Sequence, residues 1–144
     1  MYITREADYA VRIVFCLAKA GERRDARSIS EEVFVTLRFS LKILGKLSSA
    51  GIVNSYKGNR GGYELARPAN QISVRDVLEA VDGPYSISRC IGEDACDCAL
   101  HDSKGVCAFQ NAFGRINNEI NRHLGTLDFK YMIEEETLLE TQRA

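Results

Sequence analysis

Apolar residues near the start of the chain recur every three or four positions, which is the spacing of one helical face. The predicted helix covers residues 3–20, with Thr4 placed to cap its start and Gly21 placed to end it. Its apolar face comprises Ala7, Ala10, Val11, Val14, Leu17 and Ala18. Cys16 falls within the same helix and is expected to be a small core residue.

Two further helices are predicted after a charged loop. Ser28 and Glu31 fit a capping box at the start of a short helix that ends near Phe34. A third helix, roughly residues 38–50, has its buried stripe predicted at Phe39, Ile43, Leu44, Leu47 and Ala50. The opposite face of that helix carries Arg38, Lys42, Lys46 and Ser49. Gly51 supplies the left-handed residue with which helices commonly end. Two short helices of which the second is basic form a helix-turn-helix pattern, so the second is the candidate for the DNA major groove.

The periodicity changes after Gly51 from that of a helix to that of strands. Strands are predicted at residues 52–57 and 62–66, joined by a glycine-rich turn that tolerates positive φ. This hairpin is interpreted as the wing of a winged helix, although an ordinary hairpin with a polar tip would show the same pattern. The tip carries Lys57, Asn59 and Arg60, which are placed to reach a phosphate backbone or the minor groove.

A second capping box, Ser73 with Asp76, starts a helix that Gly83 and Pro84 end. The apolar positions of that helix are Val74, Val77, Leu78 and Val81. A longer helix is predicted over residues 108–124, followed by a short helical restart at 126–128 and a charged end, 134–144, that is expected to fray.

The long helix carries an apolar seam. Its members are Phe109, Ala112, Phe113, Ile116, Ile120 and Leu124. The polar residues expected to face away from the seam are Asn117, Asn118, Asn121 and Arg122. The seam could pack on its own domain, but helix-turn-helix operators are usually read by two-fold dimers, so we interpret it as the interface of a homodimer.

Charge is distributed unevenly along the chain, although the formal net charge is only −1. Residues 1–80 hold 13 Lys/Arg against 9 Asp/Glu, a net of +4, and residues 81–144 hold 6 against 11, a net of −5. Residues 33–63 carry five bases and no acid, which favours a polyanion as partner. With no secretory signal and no apolar run of about 20 residues, the expectation is a cytoplasmic protein with no membrane partner.

Four of the five cysteines, Cys90, Cys96, Cys98 and Cys107, fall in one segment rich in Gly and Asp. In a reducing compartment such a cluster favours metal or redox chemistry over structural disulfides. Soft thiolates suit an iron-sulfur cluster or zinc, and His101 could contribute to a zinc site. The absence of a Cys-x-x-Cys pair counts against zinc. A metal-free thiol switch, in which Cys96 or Cys98 pairs with Cys107, is the third alternative.

Several segments together resemble the winged-helix regulators that include the iron-sulfur cluster regulator IscR, the nitric-oxide sensor NsrR and the iron regulator RirA. The most specific is the wing sequence KGNRGGYELA at residues 57–66. The sequences DYAV at 8–11, LSSAGIV at 47–53, ISVRDV at 72–77 and AVDG at 80–83 occur in the expected order before the cysteines. The resemblance covers nearly the whole chain.

The resemblance implies a homodimeric repressor or activator with an iron-sulfur cluster held by three cysteines per subunit. Cys90 matches the first ligand, Cys96 the second and Cys107 the third, although Cys98 could replace Cys96. The position of a histidine ligand in IscR-type members is Gln110 here, so a fourth ligand would come from elsewhere. Asp8 matches an aspartate that NsrR-like members donate from the partner subunit, and a surface pair with Arg12 is its competing interpretation.

The sequence therefore predicts a mainly α fold with a small β-hairpin wing, in which a winged helix-turn-helix is joined to a long dimerisation helix. The expected units are a DNA-binding module (1–84), a cysteine-rich sensor loop (85–107) and a dimerisation helix with tail (108–144). A double-stranded operator is the expected partner, and no small-molecule substrate is expected. The predicted DNA contacts are Thr36, Arg38, Phe39, Ser40, Lys42, Lys46, Lys57, Asn59 and Arg60.

Two other classes of protein agree less well with the sequence. A thiol oxidoreductase would use the cysteine segment, but the chain has no Cys-x-x-Cys motif, no nucleotide-binding loop and no Ser-His-Asp arrangement. The chain is therefore not expected to be an enzyme. A pure protein-interaction module would leave the basic helix idle, and a steep salt dependence of DNA binding would exclude it.

Overall fold

The computed structural model describes residues 3–91 and 107–143. Six α-helices and one hairpin form these parts of the chain. In order they are α1 (Arg5–Ala20), α2 (Ala26–Glu32), α3 (Leu37–Ser49), β1 (Val53–Tyr56), β2 (Gly62–Leu65), α4 (Val74–Asp82), α5 (Ala108–Thr126) and α6 (Phe129–Arg143). Short 3₁₀ turns lie at Ala69–Gln71 and Arg89–Ile91. The predicted fold class, mainly α with a small wing, is confirmed.

Most predicted helix boundaries in the first module are confirmed. Thr4 caps α1, and Gly21 ends it with φ +62°. Thr36 caps α3, and Gly51 follows that helix with φ +70°. The stripe of α3 is buried at Ile43, Leu44 and Leu47 and half-buried at Phe39, whereas Ala50 is exposed because it lies past the last helical turn.

The predicted capping box of α2 is wrong. The helix begins earlier, at Ala26, and the carboxylate of Asp25 caps it by accepting the backbone N–H groups of Arg27 and Ser28, both at 3.0 Å. The Ser28 hydroxyl is instead bonded by the guanidinium of Arg24. An ionised carboxylate is a stronger acceptor for helix N-terminal donors than a neutral hydroxyl, which explains the choice.

The wing is a two-stranded antiparallel hairpin in which Val53 pairs with Leu65 and Tyr56 with Gly62. Gly58 has φ +92°, and a Cβ at Gly61 would lie 2.6 Å from the Tyr56 carbonyl oxygen, so the tight turn depends on glycine. Arg24 extends the sheet through two backbone hydrogen bonds with Tyr63, which fix the hairpin to the loop before α2.

One core joins α1, α3 and α4 to the hairpin. The capping box of α4 is present in both directions, since Ser73 accepts from the Asp76 N–H and Asp76 accepts from the Ser73 N–H. Its four predicted apolar positions are all buried. The fully buried large side chains of this core include Ile13, Leu17, Ile29, Ile43, Leu44, Leu47, Ile72 and Phe129.

The end of the chain does not fray as predicted. Helix α6 continues to Arg143 and packs against α1, with Lys19 and Glu136 forming an ion pair at 2.6 Å. Phe129, the first residue of α6, is fully buried, and its N–H donates to the Ile72 carbonyl at 3.2 Å. The C-terminal helix is therefore anchored on the first module, while the predicted three-part division remains a proposal about roles.

Helix α5 leaves much of its apolar seam uncovered within the subunit. Phe109, Phe113 and Ile116 are exposed, with Phe109 at 67%. Asn117 and Asn121 lie on another face of α5, away from the exposed seam, where both amides bond the backbone of the segment before the cysteines. In the described part of the chain, no helix is long and apolar enough to cross a membrane.

Candidate DNA interface and cysteine segment

The start of α3 presents a free surface. Thr36 and Arg38 are exposed, and Thr36 also accepts a long hydrogen bond, 3.4 Å, from the Phe39 N–H. The Phe39 ring is half-buried and meets Tyr9 of α1 edge to face, with ring centroids 5.9 Å apart. This packing holds the exposed end of α3 against α1.

Ser40, one of the predicted DNA contacts, is not accessible to DNA. Its side chain is fully buried. In α3 it lies three residues before Ile43 and four before Leu44, on the core side of the helix, so a duplex cannot reach it.

The two lysines of α3 are engaged by the protein itself. Lys42 and Lys46 both pair with the carboxylate of Glu6, each at 2.9 Å. Lys46 also donates to the Val81 carbonyl at the end of α4. No local sequence pattern indicates this pairing, because Glu6 lies more than thirty residues earlier in the chain.

The wing presents Lys57, Asn59 and Arg60 as exposed residues, in agreement with their predicted place at the tip. Sequence reasoning missed Arg23, whose guanidinium stacks 3.4 Å from the centre of the Tyr56 ring. Arg23 also donates to the Arg60 carbonyl at 3.1 Å and lies 3.6 Å from the Glu64 carboxylate. These contacts restrain the wing tip from the loop before α2.

Cys90 and Cys107, at the two ends of the cysteine segment, are both free and half-buried. Cys90 lies in the 3₁₀ turn Arg89–Ile91, and Cys107 directly precedes α5. The side-chain amide of Gln110, in the first turn of α5, donates to the Cys90 carbonyl at 2.8 Å. Gln110 thus joins the two ends of the segment. The predicted ligands Cys96 and Cys98, and His101, lie outside the described residues.

Asp8 has a local partner. Its carboxylate lies 3.1 Å from Arg12 in an exposed i, i+4 pair, which is the competing interpretation given above. Within residues 3–91 and 107–143, no three potential ligands come together as a metal site. Cys90 and Cys107, the two described thiols of the cysteine segment, are nevertheless of the soft donor type that iron-sulfur clusters require.

Cys16 is a core residue, as predicted. Its side chain is buried, and this burial raises the pKa of the thiol to about 11, with a further contribution from the nearby Glu32. A thiol with so high a pKa is almost entirely protonated at neutral pH, which makes Cys16 a poor ligand and a poor nucleophile.

A helix-turn-helix with a basic second helix, followed by a hairpin wing whose turn depends on glycine, defines a winged-helix protein of the kind that regulates transcription. The Rrf2 family, described as iron-dependent transcriptional regulators, matches residues 3–135 of this chain. The chain belongs to the Rrf2 family, which confirms the resemblance described above. Family membership implies DNA binding and identifies the chain as a regulator rather than an enzyme.

Similar proteins agree with this assignment. The putative HTH-type transcriptional regulator Rv1287 of Mycobacterium tuberculosis is 37% identical over 94 residues, which span 64% of this chain and 58% of that protein. The HTH-type transcriptional regulator IscR of Xenorhabdus nematophila is 25% identical over 142 residues, 97% of this chain and 84% of that protein. The solved structure of CymR, the global cysteine regulator of B. subtilis, has a TM-score of 0.76 at 20% identity and covers 94% of this chain and 98% of CymR. At that identity, CymR supports the fold alone.

Proposed function

We propose that the protein is a homodimeric transcriptional regulator whose affinity for its operator is controlled by an iron-sulfur cluster at the cysteine segment. The observation that carries the proposal is the Gln110–Cys90 hydrogen bond, because it holds the first thiol of the segment beside the helix that follows the last one. Two soft donors are thereby placed at one end of α5. A DNA-binding regulator of this kind would work in the cytoplasm.

The proposed ligands are Cys90, Cys107 and either Cys96 or Cys98, with Asp8 of a second copy as the candidate fourth. Asp8 would have to leave Arg12, and an exposed pair of this kind contributes at most about 1 kcal/mol. When bound, a cluster would supply a group whose integrity and oxidation state respond to iron, oxidants or nitric oxide.

The described residues suggest how the segment could act on DNA binding. Residues 83–90 lead from the end of α4 to Cys90, and α4 packs against both α1 and α3. Asn117 accepts from the Ile87 N–H at 3.0 Å, and Asn121 donates to the Tyr85 carbonyl at 3.3 Å. Cluster binding at Cys90 and Cys107 would therefore act on the position of α4, and of the reading module with it, relative to α5. Two recognition helices must meet grooves about 34 Å apart, so a small rotation at α5 is enough to spoil operator binding.

The proposed DNA contacts are the exposed members of the predicted set that have no ion pair among the described residues, which are Thr36, Arg38, Lys57, Asn59 and Arg60, together with the half-buried Phe39. Arg38 is the best candidate for reading a base, because a guanidinium pairs with the two acceptors of guanine. The wing residues are suited to phosphate or minor-groove contacts.

The test begins with protein purified without oxygen, its visible absorption spectrum, and assays of iron, sulfide and zinc. Matched iron and sulfide that are lost in Cys90→Ala and Cys107→Ala, but kept in Cys16→Ala, would support the cluster. The loaded and apo proteins are then titrated with an operator selected from a random duplex library. Equal operator affinity of the two forms would refute cluster control.

The alternatives give different results in the same assays. A colourless protein with stoichiometric zinc would favour a structural zinc site. A colourless, metal-free protein whose operator affinity changes on oxidation, with a disulfide to Cys107 found by mass spectrometry, would favour a thiol switch.

A further inference from the structure

One carboxylate of α1 holds two lysines of the recognition helix. Glu6 Oε2 lies 2.9 Å from Lys42 Nζ, and Glu6 Oε1 lies 2.9 Å from Lys46 Nζ. The Glu6 side chain is only 17% exposed, so water screens these pairs less than it screens an ordinary surface pair. Lys42 and Lys46 are one turn apart in α3, and a single carboxylate can therefore bridge them.

Three helices meet beside Glu6, namely the start of α1, the recognition helix α3 and the end of α4. Lys46 donates to the Val81 carbonyl in the last turn of α4 at 2.9 Å. The Thr4 hydroxyl, at the start of α1, lies 2.8 and 2.9 Å from the two carboxylate oxygens of Asp82. Helix α3 is thus fixed both to the start of α1 and to the end of α4.

The pairing changes the charge that α3 offers to a duplex. Hydrogen bonding from Lys42 is the largest cause that lowers the pKa of Glu6, and the carboxylate is therefore ionised at neutral pH. One negative charge against two ammonium groups leaves about one net positive charge where the sequence suggests two. Arg38 is exposed and has no ion pair among the described residues.

We propose that Glu6 is a positioning residue that lowers the affinity for random DNA by holding Lys42 and Lys46 against the protein and away from phosphates. The proposal rests on the DNA-binding function proposed above. Affinity for random DNA comes almost entirely from phosphate neutralisation, whereas an operator also gains base contacts. Withholding two lysines therefore lowers the affinity for random DNA, whereas base reading by Arg38 does not depend on them.

The direct test is Glu6→Gln, titrated with a short random-sequence duplex over a range of salt concentrations. Release of the lysines should raise the affinity by roughly three- to tenfold at low salt. The slope of log K against log salt should become steeper by about 1 to 2, since each added phosphate contact contributes about 0.9. Glu31→Gln is the matched control, because it removes an equal charge from an exposed position of α2 that has no ion pair among the described residues. The control should change the slope by much less.

A second variant keeps the test decisive if Glu6→Gln lowers stability. In the otherwise unchanged protein, the double variant Lys42→Gln/Lys46→Gln should leave the salt slope for random DNA unchanged, because the withheld lysines make no phosphate contact. A slope that falls by about 2 in this variant would overturn the proposal. A Glu6→Gln protein that is folded, as judged by its circular dichroism melt, and matches the unchanged protein in affinity and slope would also overturn it.

The outcome for the unchanged protein separates this proposal from the broader one. If the unchanged protein binds no DNA at any salt concentration, both the proposed function and the proposed role of Glu6 are refuted. If it binds with a steep salt dependence and only the Glu6 effect is missing, the regulator assignment stands and the role of Glu6 is refuted.

Discussion

Phe34 combines two unfavourable features at the turn between α2 and α3. Its φ is +55°, which makes it the one non-glycine residue with positive φ in the described part of the chain, and its side chain is 90% exposed. A left-handed conformation costs an L-residue with a Cβ roughly 1–2 kcal/mol. The exposed ring recovers little of that cost through burial, so the turn is held by its neighbours, including the Val35 N–H bond to the Ser30 carbonyl.

Phe34→Gly is expected to stabilise the protein. Glycine adopts positive φ without steric cost, and its greater unfolded-state entropy offsets only part of the gain, so the free energy of unfolding should rise by about 0.5–1 kcal/mol. Urea denaturation followed by circular dichroism measures this change. Phe34→Ala is the control, since it removes the ring but keeps the Cβ. If the alanine variant gains as much as the glycine variant, the exposed ring rather than the backbone is the source of the effect.

Residues with local partners were the ones that sequence reasoning placed correctly. Thr4 accepts from an N–H three residues later, and Gly51 follows directly from the end of α3, both as predicted. Arg23 and Glu6 were missed because their partners lie more than thirty residues away and no periodicity connects them. Ser40 was misassigned because a small polar residue gives little indication of whether it faces water or the core.

At the scale of elements, the start of α4 has two separate roles. Ser73 Oγ accepts from the Asp76 N–H at 3.2 Å, which completes the capping box. The neighbouring backbone joins the α5–α6 connection, since Val74 N–H donates to the Leu127 carbonyl and Phe129 N–H donates to that of Ile72. The cap therefore stabilises the point at which the C-terminal helices attach to the first module.

Ser73→Ala is expected to lower the free energy of unfolding by about 1 kcal/mol, because one helix N-terminal donor loses its acceptor in a nearly buried site. Thermal or urea denaturation would measure the loss. Ser49→Ala makes the same chemical change at the exposed end of α3, where the hydroxyl bonds only the Gly45 carbonyl one turn earlier. The control should be nearly neutral. An equal loss in both variants would contradict the assigned role of the cap.

Elements specified by local pattern were predicted well, and those specified by distant contacts were not. The wing and α4 contain their own turn and cap residues, so a short stretch of sequence was enough to locate each of them. The predicted start of α2 was wrong because the Asp25 carboxylate, three residues before Ser28, is the stronger cap, and Arg24 engages the Ser28 hydroxyl. The length of helix α6 was not predicted, because its sequence is mostly charged. The one residue that fixes it to the core, Phe129, bonds Ile72, which lies far earlier in the chain.

At the scale of the whole molecule, α5 has two faces with different purposes. The asparagine face, Asn117 and Asn121, bonds the segment leading to Cys90 within the same subunit. The apolar face, with Phe109, Phe113 and Ile116, remains exposed. Exposed apolar side chains on one helix face are typical of an association site, and the homodimer proposed above would cover them with a second copy of α5.

Phe113→Asp is expected to convert the proposed homodimer into a monomer of 16.1 kDa. Burying a phenylalanine side chain contributes about 2 kcal/mol, whereas an unpaired carboxylate in an apolar interface costs several, and a two-fold axis applies both effects twice. Sedimentation velocity measures the mass directly.

Asn118→Asp is the control, because residue 118 lies half a helical turn from the apolar stripe and adds the same charge to the exposed polar side. A Phe113→Asp protein that still sediments as a dimer, or an unchanged protein that is monomeric at high concentration, would place the interface elsewhere or remove it. Because two half-sites are read together, the monomeric variant should also lose operator affinity while keeping most of its affinity for random DNA.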